Sequence, residues 1–207
     1  MTPLSWRRRA PDVPVRDLEL VAVDLETTGL DPSSHEILSI GVVPVRRGVI
    51  ELGGARQYAV RPSGPTGVGS SATVHGITDD EAAAAAPLAE ILPQLLTDLE
   101  GRVLLAHHAT IETGFLAAAC RATSHEVPAL TVVDTVRLQR RVLQRGRTRG
   151  HVADEELSLA AARRHFGLPR YRSHDALTDA LACAELYLAQ VAVLAGDHDL
   201  TLRALIR

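Results

Sequence analysis

Asp24-Leu25-Glu26 sets two carboxylates two residues apart at the end of an apolar run, Leu20-Val21-Ala22-Val23. In an extended strand, positions i and i+2 project from one face, so both acids point the same way from a buried element. Like charges in apolar surroundings repel and hold their protons. A divalent cation relieves that repulsion. Hard Mg²⁺ or Mn²⁺ suits carboxylate oxygens, with substrate phosphate completing the shell. Taken alone, the pattern also fits two solvated acids at an exposed strand end. The turn that follows at once, Thr27-Thr28-Gly29, adds backbone N–H groups and small side chains against which a nucleotide could lie.

Two further segments carry acids and histidines, in order along the chain: Leu105-Ala106-His107-His108-Ala109-Thr110-Ile111-Glu112-Thr113-Gly114-Phe115-Leu116 and Tyr171-Arg172-Ser173-His174-Asp175-Ala176-Leu177-Thr178-Asp179-Ala180. With Val23 to Leu30 they resemble the three signatures of the DEDDh, or DnaQ-like, 3′→5′ exonucleases, a family that includes the proofreading subunit of bacterial replicative polymerase. Val74-His75-Gly76-Ile77-Thr78 and Val133-Asp134-Thr135 are similar to accessory segments of that family, and the resemblance runs from about residue 18 to 194. It implies a ribonuclease H-like α/β fold, a mixed five-stranded sheet flanked by helices. It implies that Asp24, Glu26, Glu112 and Asp179 hold two divalent ions, Mg²⁺ or Mn²⁺, and that His174 takes a proton from the attacking water. Thr27, Thr28, Gly29, Leu30, His75, Gly76 and Ile77 would meet the substrate, with Leu30 against the terminal base, while Arg172, beside His174, is either a phosphate contact or part of a solvated loop face.

Three positions depart from the family pattern. Glu112 stands where Asp is usual, His108 replaces Asn, and Ile111 replaces Phe. The extra methylene of Glu112 moves its oxygens by about 1 Å, and a misplacement of that size can lower a rate about a hundredfold. Among the neighbours, Asp175 and Asp134 read as helix caps rather than ligands. His107 reads as a hydrogen-bonded structural residue, and Cys120 and Cys183 as core. Arg170 flanks His174 beside Arg172, and Arg140, Arg141, Arg145, Arg147 and Arg149 form a basic cluster that is either a track for a strand or a solvated face.

The elements that must position these groups can be read from periodicity. Strands are expected at Leu18–Leu25, Ile37–Val45, Gln57–Arg61, Val103–Ala106 and Leu130–Val133. A capping box, Thr78 with Glu81, opens an Ala-rich helix reaching about Leu99, with Pro87 and Pro93 expected to break or bend it. Further helices follow each of the last two strands, ending near Ala122 and Gln144. Leu157–Phe166 and Ala176–Leu194 are the last long helices, and residues 62–72 and 144–156 read as loops. The order βββαβαβαα predicts a mixed α/β layer fold.

The 207 residues, 46% hydrophobic with 3% aromatic, suit one domain over 18–207 after a flexible N-terminal arm, 1–17, that holds Arg7-Arg8-Arg9. A net charge of −3, with every one of the 22 cationic residues an Arg, argues against a protein that coats duplexes by counterion release. It fits a grip on one end of a strand. No secretion signal or membrane span is legible, and two cysteines without metal spacing fit a cytoplasmic setting. The expected activity is release of nucleoside monophosphates from the 3′ end of single-stranded DNA, in replication or repair. RNA trimming is one alternative. The other is a catalytically weakened nucleic-acid-binding module. The chain runs only to Arg207, soon after its last helix, which favours loose over dedicated association with replication or repair proteins.

Overall fold

A computed structural model of the chain describes residues 12–64, 71–145, 152–196 and 198–206. The strands are β1 (Glu19–Thr27), β2 (Ile37–Arg46), β3 (Val49–Ile50), β4 (Arg56–Arg61), β5 (Ala86–Pro87), β6 (Val103–Ala106) and β7 (Thr131–Asp134). They form one mixed sheet in the order β5-β4-β2-β1-β6-β7, with β3 pairing β2. β1, β2 and β4 run antiparallel to their neighbours in that meander, whereas β6 and β7 join β1 in parallel. The five strands expected from the sequence are therefore the body of the sheet, and β3 and β5, two residues each, are additions to it.

The helices are α1 (Ala72–His75), α2 (Asp79–Ala84), α3 (Leu88–Leu99), α4 (Thr110–Ala122), α5 (Thr135–Arg145), α6 (Leu159–His165), α7 (Ala176–Ala195) and α8 (Leu202–Leu205). Alternation along β1 divides the core in two. Leu20 and Ala22 pack with Leu138, Val142, Ala180, Cys183 and Tyr187 of α5 and α7. Val21 and Val23 pack with Leu92, Leu95, Phe115 and Leu116 of α3 and α4. Helices thus cover both sides of the sheet, and β2 is buried along nearly its whole length. By the same parity, Asp24 and Glu26 share the face of Leu20 and Ala22, the side of α7. α7, at 20 residues, is apolar and long enough to cross a membrane by length and composition. In the fold it serves as the core helix on this side of the sheet, with β1, β2 and α5 against it.

The sequence reading needs correction in three places. The helix expected over 78–99 is two helices. The first ends at Ala84, Pro87 is the N-cap of the second, and Pro93 lies inside α3 without stopping it. Proline removes the bond that residue 93 would give to the Ala89 carbonyl. Both residues are exposed, so water can take its place. The arm expected over 1–17 is docked where it is described: Pro14 bridges Thr201, the Val15 N–H donates to Leu200 O, and the Leu202 N–H donates to Val13 O. Residues 1–11, including Arg7–Arg9, lie outside the described residues. The basic cluster is partly spent on internal carbonyls. Arg141 donates to Ala204 O and Leu205 O, Arg145 donates to Val193 O, and Arg140 pairs with Asp154. Arg147 and Arg149 lie outside the described residues, as does most of the 62–72 loop.

Candidate active site

Asp24 and Glu26 end β1, the central strand of the body of the sheet, and α7 brings Asp179 to them. A glycine makes that approach possible. Gly41 of β2 pairs with Asp24 across the ladder. A Cβ at Gly41 would lie 2.0 Å from the Ala176 carbonyl oxygen, so the first turn of α7 rests directly on the strand. The sequence reading passed over Gly41. The available signal was a glycine interrupting an apolar strand, which marks close backbone approach.

Ligating atoms of Glu26, His174 and Asp179 all lie within 4.8 Å of one another. The Asp179 carboxylate accepts the His174 backbone N–H at 2.7 Å. His174 itself is exposed and has a φ of 69°, in the left-handed region. That conformation disfavours residues other than glycine by about 1–2 kcal/mol. The bond from the His174 N–H to Asp179 helps to hold it.

The carboxylates are electrostatically uncomfortable without a cation. Burial, then the charges of Glu112, Asp179, Glu26 and Asp175, pushes Asp24 well above the usual carboxylate range. Burial, then Asp179 and Asp175, lifts Glu26 to about 7. Burial also raises Asp179, against the pull of the His174 backbone N–H. Glu112, in the first turn of α4, is 4% exposed and rises to about 8, chiefly through burial. Its Oε2 has no hydrogen-bond partner, and it borders a cavity of about 10 Å³ lined by Val23, Leu25, Ile37, Leu95, Leu99, Leu104 and Leu116. Glu112 is therefore near Asp24 in charge but outside the tight Glu26–His174–Asp179 group. Hard oxygen donors, buried together and holding their protons, are a donor set that fits a divalent ion.

This charge pattern gives a pH prediction. A carboxyl whose pKa is raised in the fold binds its proton more tightly there than in the unfolded chain. For Glu26 and Glu112, whose ordinary value is 4.5, the stabilisation is complete below that value. It is lost as pH rises through about 7 and then about 8. Thermal melts should show the cation-free protein losing stability from about pH 5 to about pH 8.5, with millimolar Mn²⁺ raising the melting temperature most at the alkaline end. A cation response equal at both pH values would contradict the cluster.

The remaining residues fall into place around this group. Asp175 is the N-cap of α7, accepting the Thr178 N–H at 2.9 Å. Asp175→Ala should lower stability by about 1 kcal/mol in denaturant melts. Turnover per folded molecule should stay near wild type, and a well-folded but dead variant would reassign the third acid. Asp134 accepts the N–H groups of His108, Ala109 and Val136, tying the entry to α4 to the start of α5. His108 has a φ of 66°. Asn and His are both enriched in that region, so the exchange of Asn for His at this turn is tolerated by the backbone. His107 is buried, bonds Thr135 Oγ1 at 2.8 Å through Nδ1 and is held down to about 4 by burial, as befits a structural residue. Cys120 and Cys183 are buried and free.

The Thr27–Leu30 turn is closed by its own side chains. Thr27 Oγ1 donates to Gly29 O, and Thr28 Oγ1 accepts the Glu36 N–H. Gly29 meets the His35 ring so closely that a Cβ would stand 2.4 Å from it. Leu30 is 76% exposed. His75 Nδ1 accepts the Ile77 N–H while Nε2 faces Ser71 Oγ, so the side chain is used to hold its own turn, with Gly76 at a φ of 73°. The charge of His174 adds to burial in lowering His75, which puts the two rings in one neighbourhood. Arg172 is exposed on the segment before His174.

Comparison with known proteins follows this geometry. Residues 21–187 match the RNase_T family model, described as exonuclease. The chain is 34% identical over 182 residues to a DNA polymerase III subunit epsilon-like protein of Rhodobacter capsulatus, covering 86% of this chain and 24% of the relative. It is 30% identical over 172 residues to the DNA polymerase III subunit epsilon of Treponema pallidum, covering 83% of this chain and 75% of that one. It spans only 12% of the length of the PolC-type DNA polymerase III of Thermotoga maritima. The fold resembles the nuclease domain of 3′hExo, a DEDDh family member crystallised with rAMP, with a TM-score of 0.73 at 18% identity over 91% of this chain and 98% of that one. The chain belongs to the RNase_T exonuclease family, which its likeness to the DNA polymerase III epsilon subunit supports.

Proposed function

We propose that this chain is a divalent-cation-dependent nuclease that removes nucleotides one at a time from the 3′ end of single-stranded DNA. The observation that carries the reading is the buried convergence of Glu26 and Asp179 with the exposed His174, all within 4.8 Å, next to Asp24. Asp24, Glu26, Glu112 and Asp179 would hold Mg²⁺ or Mn²⁺, two ions per site. Ions bound there would supply Lewis-acid polarisation of the scissile phosphate. The exposed imidazole of His174 takes the proton of the attacking water. The water oxygen forms its bond to phosphorus as the bond to the 3′ oxygen of the preceding nucleotide breaks; that oxygen takes a proton from solvent to become the new 3′ hydroxyl, and a nucleoside 5′-monophosphate is released. Exposed Leu30 offers an apolar surface to the terminal base, Thr27 to Gly29 and His75 to Ile77 line its flanks, and Arg172 is within the segment that faces the strand.

The relatives, named as DNA polymerase III subunits, support DNA over RNA and work beside a polymerase or repair complex, and a cytoplasmic setting is part of the same proposal. Matched 5′-labelled single-stranded DNA and RNA of one sequence, given to the protein with Mn²⁺, decide the point. DNA should be shortened at least tenfold faster. Preference for RNA would move the chain to end trimming of RNA, since the pocket would then be reading the 2′-hydroxyl.

A further inference from the structure

His174 sits at the end of a surface segment, and its backbone is held in a left-handed conformation. The last residue of that segment is tied to Asp179. The first is tied to a buried arginine of α6. Arg163 is 4% exposed. Its guanidinium donates to Pro169 O at 2.9 Å, to Ala182 O of α7 at 2.7 Å and to Glu185 of α7 at 2.8 Å. The guanidinium carbon also lies 4.5 Å from the centre of the Tyr171 ring, and the Tyr171 hydroxyl donates to the other oxygen of Glu185 at 2.9 Å. One planar cation thus joins α6, α7 and both Pro169 and Tyr171 of the segment.

A buried ion pair is a poor way to stabilise a fold, because desolvation offsets the attraction and an apolar side chain of equal volume does as well. Its geometry, by contrast, is specific: a planar fork with several fixed donors. Ala182 and Glu185 follow Asp179 by one and by nearly two turns on the same helix. The guanidinium therefore sets the segment's distance from the helix that carries Asp179. With Asp179 fixing the far end, the position of the His174 ring beside Glu26 and Asp179 follows from both anchors.

We infer that Arg163, with Glu185 and Tyr171, is the positioning group for His174, keeping its imidazole where it meets the attacking water. This rests on the reading of His174 as the proton acceptor. Arg163 touches no reacting atom and acts only through the segment.

The test is a double-mutant cycle in single-turnover hydrolysis of 5′-labelled single-stranded DNA with Mn²⁺, with affinity measured in Ca²⁺. Arg163→Met, which fills the volume without the fork, should slow hydrolysis roughly 10- to 100-fold while affinity changes by less than about twofold. In a His174→Ala background the same substitution should add less than about twofold, because the group it positions is gone. Tyr171→Leu, at an exposed position, gives a second variant that folds. It should slow hydrolysis severalfold and lose that effect in the same background. Equal fold-losses with and without His174 would make the cluster merely structural and overturn the inference. So would wild-type rates in both Arg163→Met and Tyr171→Leu. A His174→Ala protein as fast as wild type would instead overturn the proton-acceptor reading itself, and this inference with it.

Discussion

Asp24→Asn should lower single-turnover hydrolysis by roughly a thousandfold, about 4 kcal/mol of barrier, and at the same time make the cation-free protein more stable at pH 8. Both effects have one origin. Asp24 is surrounded by Glu112, Asp179, Glu26 and Asp175, and burial adds to their repulsion, so its charged form is disfavoured in the fold. A neutral amide of the same shape removes that penalty above the ordinary aspartate pKa of 3.8. It also removes the anionic oxygen that a divalent ion requires. Opposite movements of activity and stability mark a residue kept for function. Denaturant midpoints of the two proteins at pH 8, with and without Mn²⁺, measure the second effect. A variant that is less stable than wild type yet active would contradict the assignment.

The second large effect is expected at Glu112, the acid that departs from the family pattern. Its carboxyl lies in apolar surroundings with one oxygen unpartnered, and its pKa of about 8 leaves it mostly protonated at neutral pH. Glu112→Gln resembles that protonated form but has no proton to take up on folding, so the cation-free melting temperature at pH 7 should rise, as for Asp24→Asn. Hydrolysis should fall by roughly a hundredfold, and the rise in melting temperature on adding Mn²⁺ should shrink, because an amide offers only a neutral oxygen. Glu112→Asp should keep the rate within about tenfold of wild type or raise it, since it restores the shorter acid. If the chain were a binding module, wild type would already be nearly inactive and Glu112→Gln would alter neither rate nor affinity for single-stranded DNA. An active wild type indifferent to Glu112→Gln would require the fourth acid to come from elsewhere.

Local signals in the sequence were strong where one element carries the whole message. β1 announces itself by four apolar residues before two acids. The Thr78–Glu81 capping box and the Asp175 cap are both formed as spacing suggests. Contacts that join distant stretches were not legible. Val13 and Val15 are held by residues 200–202, and no local pattern near residue 15 names that partner. Gly41 reads as a weak spot in a strand until α7 is laid across it. Arg163 sits in an Arg-Arg-His run at a helix end that carries no motif, yet its guanidinium is buried against Glu185 and Tyr171. The basic cluster of α5 stays open in the sequence for the same reason, since charge alone does not tell whether an arginine meets phosphate or a nearby carbonyl. At the site itself, Asp24 and Glu26 lie on one strand end as their spacing suggested, whereas the placing of His174 and Asp179 beside Glu26 was implied only by the family resemblance. The retreat of the Glu112 carboxyl into an apolar wall depends on packing by Leu95 and Leu99 of α3, which no motif encodes.

The most direct test uses one single-stranded DNA oligonucleotide labelled at its 5′ end or at its 3′ end, with purified protein in Mg²⁺ or Mn²⁺ and in EDTA. A 3′→5′ exonuclease should shorten the 5′-labelled strand into a descending ladder and release the 3′ label at once as a mononucleotide. EDTA should stop both, and added Mg²⁺ or Mn²⁺ should restore them. Hydrolysis that continues unchanged in EDTA, or a 5′ label released first as the mononucleotide, would contradict a divalent-cation-dependent attack at the 3′ end.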